Sequence, residues 1–396
     1  MRRLTAAVVF GLGCASPGMP PGGPPDVAAP QLIAITPDSG TLGASPKELI
    51  FRFDEVVSER PPSVTTLGDL FLISPREGAP EASWHRDAIG VRPPRGWRPN
   101  TPYTVIMMRG IADLRGNVRN TGVTTFFSTG KTIPPTRLTG LVFDWVSGTP
   151  AAGALVESFV RPDSLRPYIA LADSGGDFTI QHLPPARYTV RAYLDRNKNF
   201  GLDPGEPWDT VSVAVADSAK ATLLVFVHDT VPPRIRDVSA NDSASIRVTF
   251  DRPVDPAQTL APVNFAVLGP DSVLVPIVSV GTPVEDTAAR PVGAAPAMAQ
   301  PAAPPVRVPV QRDTAVAAKP QMPRPAPISV VAIKLQRPLA PKTTYRVRAL
   351  GIRGLLGHTG DSEKTLTTPA PVPPVQKPAA TSPASPLPSP PPPVRR

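Results

Sequence analysis

The sequence predicts an all-β protein of tandem β-sandwich domains with disordered proline-rich linkers and a disordered proline-rich tail. Two observations carry this prediction. First, 57 of the 396 residues are proline, which lacks a backbone N–H and interrupts helices, so long helices are not expected. Second, polar and apolar residues alternate in short runs. In one such run Ile246, Val248 and Phe250 share a face, which is typical of a half-buried antiparallel strand.

The first fourteen residues have the features of an export signal. The basic start Met1–Arg3 precedes the apolar stretch Leu4–Leu12, after which come Gly13 and Cys14. This stretch is far shorter than the ~20 residues of a membrane-spanning helix. It resembles a bacterial lipoprotein signal, which implies a lipid on Cys14; ordinary cleavage after Ala15 is the alternative. We therefore expect an exported protein, either a lipoprotein anchored at the outer membrane or in the periplasm, or a protein at the cell surface.

Three proline-rich segments divide the rest of the chain. We predict a tether at residues 15–30, a disordered insertion at 284–327 and a disordered tail at 369–396. The remaining sequence contains three predicted sandwiches, namely a first module at 31–132, a middle module at 133–229 and a third module at 230–368, which contains the insertion.

The first and third modules repeat one pattern. Each has a strand that ends in Phe-Asp, at Asp54 and Asp251, and a later Pro-x-Thr-x-Tyr-x-Val segment around Tyr103 and Tyr345. The Asp-to-Tyr separation is longer in the third module by nearly the length of the proline-rich stretch, which places the insertion in a loop of that module. Such an insertion costs little, because loop-closure entropy grows only logarithmically with length. We expect both aspartates to cap a turn.

These repeated segments resemble the bacterial Ig-like domain of S-layer proteins, of the SbsA type. In the first module the resemblance includes the turn Gly110–Asn117 and the final strand Phe126–Gly130. The third module departs at the turn Gly351–His358, where the acidic and Asn positions are replaced. The resemblance implies that these modules are spacers or adhesion elements.

The middle module has a different signature. Its segments Asp173–Ile180 and Leu183–Val190 resemble the carboxypeptidase-regulatory-like, or transthyretin-like, β-sandwich. That resemblance implies a binding or structural domain without a peptidase site.

The most specific local feature is the segment 195–206, called here the acidic loop. Its oxygen-bearing residues have the spacing of an EF-hand calcium loop, although Phe200 stands where glycine is usual. The alternative is a turn rich in Asp and Asn that holds no metal. If calcium binds, we expect it to stiffen the loop. The predicted ligands are Asp195, Asn197, Asn199, Gly201, Asp203 and Glu206.

The remaining sequence indicates that the protein is not an enzyme. The four histidines lie far apart and Cys14 is the one thiol, so a zinc site is not expected. The net charge is +9, but no dense Lys/Arg run with aromatic residues is present, and nucleic acid is not an expected partner.

The expected function is structural or adhesive in the cell envelope. Its partners would be an envelope or extracellular polymer or protein, and the membrane through the N-terminal lipid. The alternative is a calcium-stabilised module that binds carbohydrate or peptide.

Overall fold

A computed structural model describes residues 25–161, 163–283 and 322–370. The described residues form twenty-three strands and two short 3-10 helices, so the predicted all-β fold class is confirmed. Within them, no helix is long and apolar enough to cross a membrane. The predicted signal with Cys14, most of the tether, residues 284–321 of the insertion and the tail after residue 370 lie outside the described residues. The chain divides into two compact units, Met1–Asp144 with Pro150–Val225 and Trp145–Thr149 with Phe226–Arg396.

The first module is a sandwich of two antiparallel sheets. Its strands are β1 (Leu32–Thr36), β2 (Leu49–Phe53), β3 (Phe71–Ser74), β4 (Glu81–Trp84), β5 (Ala88–Arg92), β6 (Pro102–Met107) and β7 (Val123–Ser128), with a 3-10 helix at Leu67–Leu70. The sheets have the orders β1-β2-β5-β4 and β3-β6-β7. On β2 the side chains alternate as predicted: Leu49, Phe51 and Phe53 are buried, while Arg52 is exposed. The buried residues pack against Tyr103 of the facing sheet.

Strand β3 does not alternate, because all four of its residues are buried. Phe71 and Ile73 belong to the core of the first module. Leu72 points the other way and packs against Leu155 and Ile169 of the middle module. Both faces of β3 are therefore covered, which explains why its apolar residues follow one another without alternation.

The strands of the middle module follow one hydrogen-bonded order and share one hydrophobic core. The strands are β8 (Arg137–Asp144), β9 (Thr149–Pro150), β10 (Leu155–Val160), β11 (Asp163–Leu171), β12 (Asp177–Gln181), β13 (Ala186–Tyr193), β14 (Pro207–Val215) and β15 (Ser218–Val227). They follow the order β11-β10-β13-β14-β15-β8-β12, with β9 paired to β8. β15 and β8 run parallel. Gly140 permits their close approach, since a Cβ there would lie 1.9 Å from the carbonyl oxygen of Ala221.

The third module repeats the topology of the first. Its strands are β16 (Ile235–Asp242), β17 (Ser245–Val254), β18 (Phe265–Leu268), β19 (Leu274–Val275), β20 (Ile277–Gly281), β21 (Ile328–Leu335), β22 (Thr344–Arg353) and β23 (Thr359–Thr367), with a 3-10 helix at Pro262–Asn264. The sheets have the orders β16-β17-β21-β20 and β19-β18-β22-β23. Ile246, Val248 and Phe250 are buried, as the alternation predicts. The predicted insertion joins β20 to β21, which pair as antiparallel neighbours.

Candidate functional site

The acidic loop connects β13 to β14 and has a left-handed backbone at three positions. These are Lys198 (φ 60°), Phe200 (φ 58°) and Gly205 (φ 87°). The sequence departure at Phe200 does not prevent the sharp turn, because this residue adopts the conformation that usually requires glycine. For a residue with a Cβ, that conformation costs roughly 1–2 kcal/mol.

The first half of the loop is organised by side-chain acceptors. The Asp195 carboxylate accepts hydrogen bonds from the backbone N–H groups of Asn199 (3.2 Å) and Phe200 (2.7 Å). The Asn197 oxygen accepts from the N–H of Asn199 (3.1 Å), and the Asn199 oxygen from that of Gly201 (2.7 Å). These local bonds are those of an Asp/Asn-rich turn, and they link the side chains of three predicted ligands to the backbone of the loop.

The second half of the loop is closed by Glu206, which is 6% exposed. Its carboxylate accepts hydrogen bonds from the backbone N–H groups of Arg196 (2.8 Å) and Asp203 (3.0 Å). The Asp203 carboxylate accepts from the side-chain nitrogens of Asn197 (2.6 Å) and Asn199 (2.7 Å). The structure thus links five predicted side chains into one hydrogen-bonded ring, but the carboxylate oxygens of Asp195, Asp203 and Glu206 do not all lie within 4.8 Å of one another. Gly201 contributes its N–H to the same ring.

Sequence reasoning missed a group of three carboxylates, one from the tether and two from the first module. Oxygens of Asp26, Glu55 and Asp113 lie within 4.8 Å of one another, and they are the one such cluster of acidic, His or Cys ligands among the described residues. Burial raises the pKa of Glu55, and the charges of Asp26, Asp113 and Asp54 raise it further. Burial also acts to raise the pKa of Asp113, but hydrogen bonds from Asn117, Arg115 and Gly116 outweigh it and lower that pKa.

The opposite side of the acidic loop borders a contact between the first and middle modules, called here the junction. Its apolar part is a cluster in which Leu72 of the first module packs with Leu155, Ile169 and Tyr193 of the middle module. Phe200 from the loop packs against this cluster. The loop is therefore held on one side by its own turn and on the other by the junction.

The polar part of the junction centres on Glu157, whose side chain is 4% exposed. Arg191 donates to its Oε2 from Nε (3.1 Å) and Nη2 (2.5 Å), and the Tyr193 hydroxyl donates to its Oε1 (3.1 Å). Arg76 of the first module lies 3.5 Å from the same Oε1 and also donates to the carbonyl of Phe200. Burial raises the pKa of Tyr193, and the neighbouring charge of Glu157 raises it further.

Backbone groups also bridge the two modules. The N–H of Arg76 donates to the carbonyl of Pro167 (2.8 Å), and the N–H of Ile169 donates to the Ser74 hydroxyl (2.9 Å). At a second point of contact, the rings of Phe126 and His182 lie 4.4 Å apart. The first and middle modules are thus joined by apolar, charged and backbone contacts together.

The repeated sequence segments make matching hydrogen bonds in the first and third modules. Asp54 accepts from the N–H of Gln31 (2.7 Å), and Asp251 accepts from that of Arg234 (2.8 Å). Asp54 thus ties the end of β2 to the residue before β1, and Asp251, which lies within β17, ties that strand to the residue before β16. The two aspartates share a structural role, but it is a bond between neighbouring strands and not the predicted cap of a turn.

The tyrosines of the repeated segment also have matching partners. The Tyr103 hydroxyl accepts from the N–H of Arg98, and the Tyr345 hydroxyl from that of Ala340, both at 2.8 Å. Each hydroxyl thus satisfies a backbone donor five residues upstream.

The turn of the third module keeps its backbone bonds despite its different sequence. In the first module Asp113 N–H donates to the carbonyl of Asn117 (3.1 Å), and in the third Gly354 N–H donates to that of His358 (2.9 Å). Gly116 (φ 90°) and Gly357 (φ 86°) occupy matching left-handed positions. The third module lacks counterparts of the Asp113 and Asn117 side chains, which form additional hydrogen bonds in the turn of the first module.

The paired sheets and the matched corner bonds define the first module as an immunoglobulin-like sandwich. Residues 26–129 match a family model described as a bacterial Ig-like domain, which confirms the Ig-like prediction for this module. The middle and third modules lie outside that match. No curated protein matches the chain.

Three solved structures illustrate the similarities found. The N-terminal part of the bacterial S-layer protein SbsC is 23% identical over 36% of this chain and 24% of its own length, with a TM-score of 0.22. BcpA, the major pilin subunit of Bacillus cereus, is 9% identical over 48% of this chain and 70% of its own, with a TM-score of 0.18. The part of native alpha-2-macroglobulin from Escherichia coli that spans domains MG0-NIE-MG1 is 11% identical over 63% of this chain and 86% of its own length, with a TM-score of 0.19. TM-scores in this range do not indicate a shared overall fold.

Proposed function

We propose that this chain is a non-catalytic structural or adhesive protein of the bacterial cell envelope. The observation that carries the proposal is the bacterial Ig-like match over residues 26–129, together with the same corner bonds in the third module. A repeated sandwich joined to its neighbour by a buried contact is suited to spacing or transmitting load. We assign the first and third modules to the SbsA type and the middle module to the carboxypeptidase-regulatory-like type. Its partner would be an envelope polymer or protein.

We further propose that Cys14 carries lipid and anchors the protein in the envelope. The basic start, the short apolar stretch and the position of Cys14 support this. The test is fractionation of the native host expressing either the wild type or Cys14→Ser, with mass spectrometry of the mature N-terminus. The wild type should be in the membrane pellet with a lipidated Cys14, and the variant should be released. A mature protein that begins at Ser16 without lipid overturns the anchor, and a cytoplasmic wild type overturns the envelope role.

The third proposal is that the acidic loop binds calcium and is stiffened by it. Support comes from the oxygen spacing, from the left-handed turn at Phe200 and from the position of Glu206 at the end of the ring. Calcium takes six to eight oxygen ligands, and modules outside the cell bind it with dissociation constants of about 10⁻⁴–10⁻³ M. A concentration ten times the Kd would stabilise the fold by about 1.4 kcal/mol.

Calorimetric titration and thermal melting with calcium test this directly. The wild type should bind one ion and melt at a higher temperature, and Asp195→Ala or Glu206→Ala should abolish both effects. Asp173→Ala is the matched control, because Asp173 caps another turn of the same module through the N–H groups of Gly175 and Asp177. The absence of binding at 10 mM calcium would sink the calcium proposal without touching the structural one. Binding to a glycan array that is lost in EDTA would favour a carbohydrate-binding function instead.

A further inference from the structure

We infer that the acidic loop couples the middle module to the first module, so that the conformation of the loop and the docking of the two modules stabilise each other. The coupling acts through Phe200 of the loop and Arg76 of the first module. It does not depend on whether the loop binds calcium, and therefore goes beyond the functions proposed above.

Phe200 is engaged at both its backbone and its ring. Its carbonyl accepts a hydrogen bond from the Arg76 guanidinium. It also lies 3.1 Å from the Tyr193 hydroxyl, whose single proton it shares with Glu157 Oε1. Its ring packs against the junction cluster, with the Arg76 guanidinium carbon 6.0 Å from the ring centroid. Arg76 of the first module therefore contacts both the backbone carbonyl and the ring of Phe200.

The backbone of Phe200 explains why the coupling runs in both directions. A left-handed phenylalanine is unfavourable on its own and persists where surrounding contacts hold it. Here those contacts include Arg76, which belongs to the first module. If docking stabilises the loop, then a stable loop must stabilise docking by the same free energy.

The packing around Phe200 makes it sensitive to truncation. A cavity of about 100 Å³ already adjoins the ring, and its lining includes Leu72, Arg76, Pro80, Ile169 and Asn199. Removing the ring would enlarge this space beside Leu72. Loss of the ring should therefore weaken packing in the first module, although Phe200 and Leu72 are far apart in sequence.

Hydrogen-exchange mass spectrometry of the full chain, first in EDTA, tests the coupling. The backbone amides of Arg76 and Ile169 are direct reporters, because each donates across the junction. Phe200→Gly should raise exchange at both amides by about tenfold or more, even though glycine suits the left-handed position. Arg76→Met should in turn raise exchange in the acidic loop.

Lys198→Gly is the matched control. Lys198 lies in the same loop, is exposed and is also left-handed, with φ 60°. It should leave both reporter amides unchanged. If Phe200→Gly changes the reporters no more than Lys198→Gly does, or if Arg76→Met leaves the loop unchanged, the coupling is refuted.

A second arm repeats the measurement with calcium and separates the two proposals. If the loop binds calcium, the ion should slow exchange at both reporter amides in the wild type but not in Phe200→Gly. If calcium does not bind, this arm shows no change and the calcium proposal fails, while the EDTA arm still decides the coupling.

Discussion

Replacement of Glu157 by glutamine is the most informative perturbation of the junction. The substitution keeps the shape of the side chain and removes its charge. Glu157 receives hydrogen bonds from Arg191 and Tyr193 and lies 3.5 Å from Arg76. Glutamine offers one acceptor oxygen and turns an NH₂ group toward these donors, so part of the network loses its partner.

The expected magnitude follows from burial. Removing one partner of a fully buried ion pair costs about 3–5 kcal/mol. The Glu157 side chain is 4% exposed, but Arg76 and Arg191 are 22% and 29% exposed and keep part of their hydration. We therefore expect a loss of about 2–3 kcal/mol. For a unit of this size, that corresponds to a fall in Tm of about 4–12 °C.

Urea denaturation and differential scanning calorimetry of the full chain measure this loss. Glu81→Gln is the matched control in the same compact unit, because Glu81 pairs with Arg92 at the surface, with side chains 48% and 41% exposed. That variant should change stability by less than about 1 kcal/mol. If Glu157→Gln costs no more than Glu81→Gln, the argument that the junction depends on a buried charge network is wrong.

Two further predictions concern the Ig-like modules. Tyr103→Phe and Tyr345→Phe each remove a hydroxyl that accepts a hydrogen bond from a backbone N–H. Each should lower the free energy of unfolding, measured by urea denaturation, by about 1–2 kcal/mol. A cost in only one module would contradict the equivalence of the two corners. Glu55→Gln should stabilise the protein at pH 7, because burial and then Asp26, Asp113 and Asp54 raise the pKa of Glu55. A raised carboxyl pKa favours folding at low pH and loses that benefit as the pH rises through it. The gain in Tm, measured in EDTA, should therefore be full above the raised pKa, shrink as the pH falls through it, and be absent below the ordinary pKa of a glutamate. A gain independent of pH would refute this cause.

The sequence was sufficient to predict features that depend on local pattern. The alternation of Ile246, Val248 and Phe250 follows directly from the two-residue period of a strand. A shared structural role for Asp54 and Asp251 was predictable because the same residue recurs after the same buried Phe. Its form, a bond between neighbouring strands, was not. The turn Gly351–His358 shows the limit of such matching: its side chains differ from those of Gly110–Asn117, but backbone groups and a left-handed glycine still form it.

The junction could not be predicted, because its partners are distant in sequence. Arg76 is 81 residues from Glu157 and 124 from Phe200, and neither spacing corresponds to a motif. The burial of Glu157 could not be predicted from the sequence either, since a glutamate on a strand ordinarily faces solvent. The continuous apolar run of β3 was the one available signal, because a strand that buries both faces needs a second covering surface.

Phe200 belongs both to the local loop pattern and to the junction. It departs from the calcium-loop consensus, and the same side chain contributes to the contact between the two modules. In an isolated loop, glycine at this position avoids a backbone cost of roughly 1–2 kcal/mol. Burying a phenylalanine side chain completely contributes about 1.5–3 kcal/mol, and the half-buried ring here gains part of that, together with its contact to Arg76. The balance favours phenylalanine only where another module covers the ring. A departure from a loop consensus therefore indicates a domain contact here, and it does so because backbone strain and side-chain burial are of similar size.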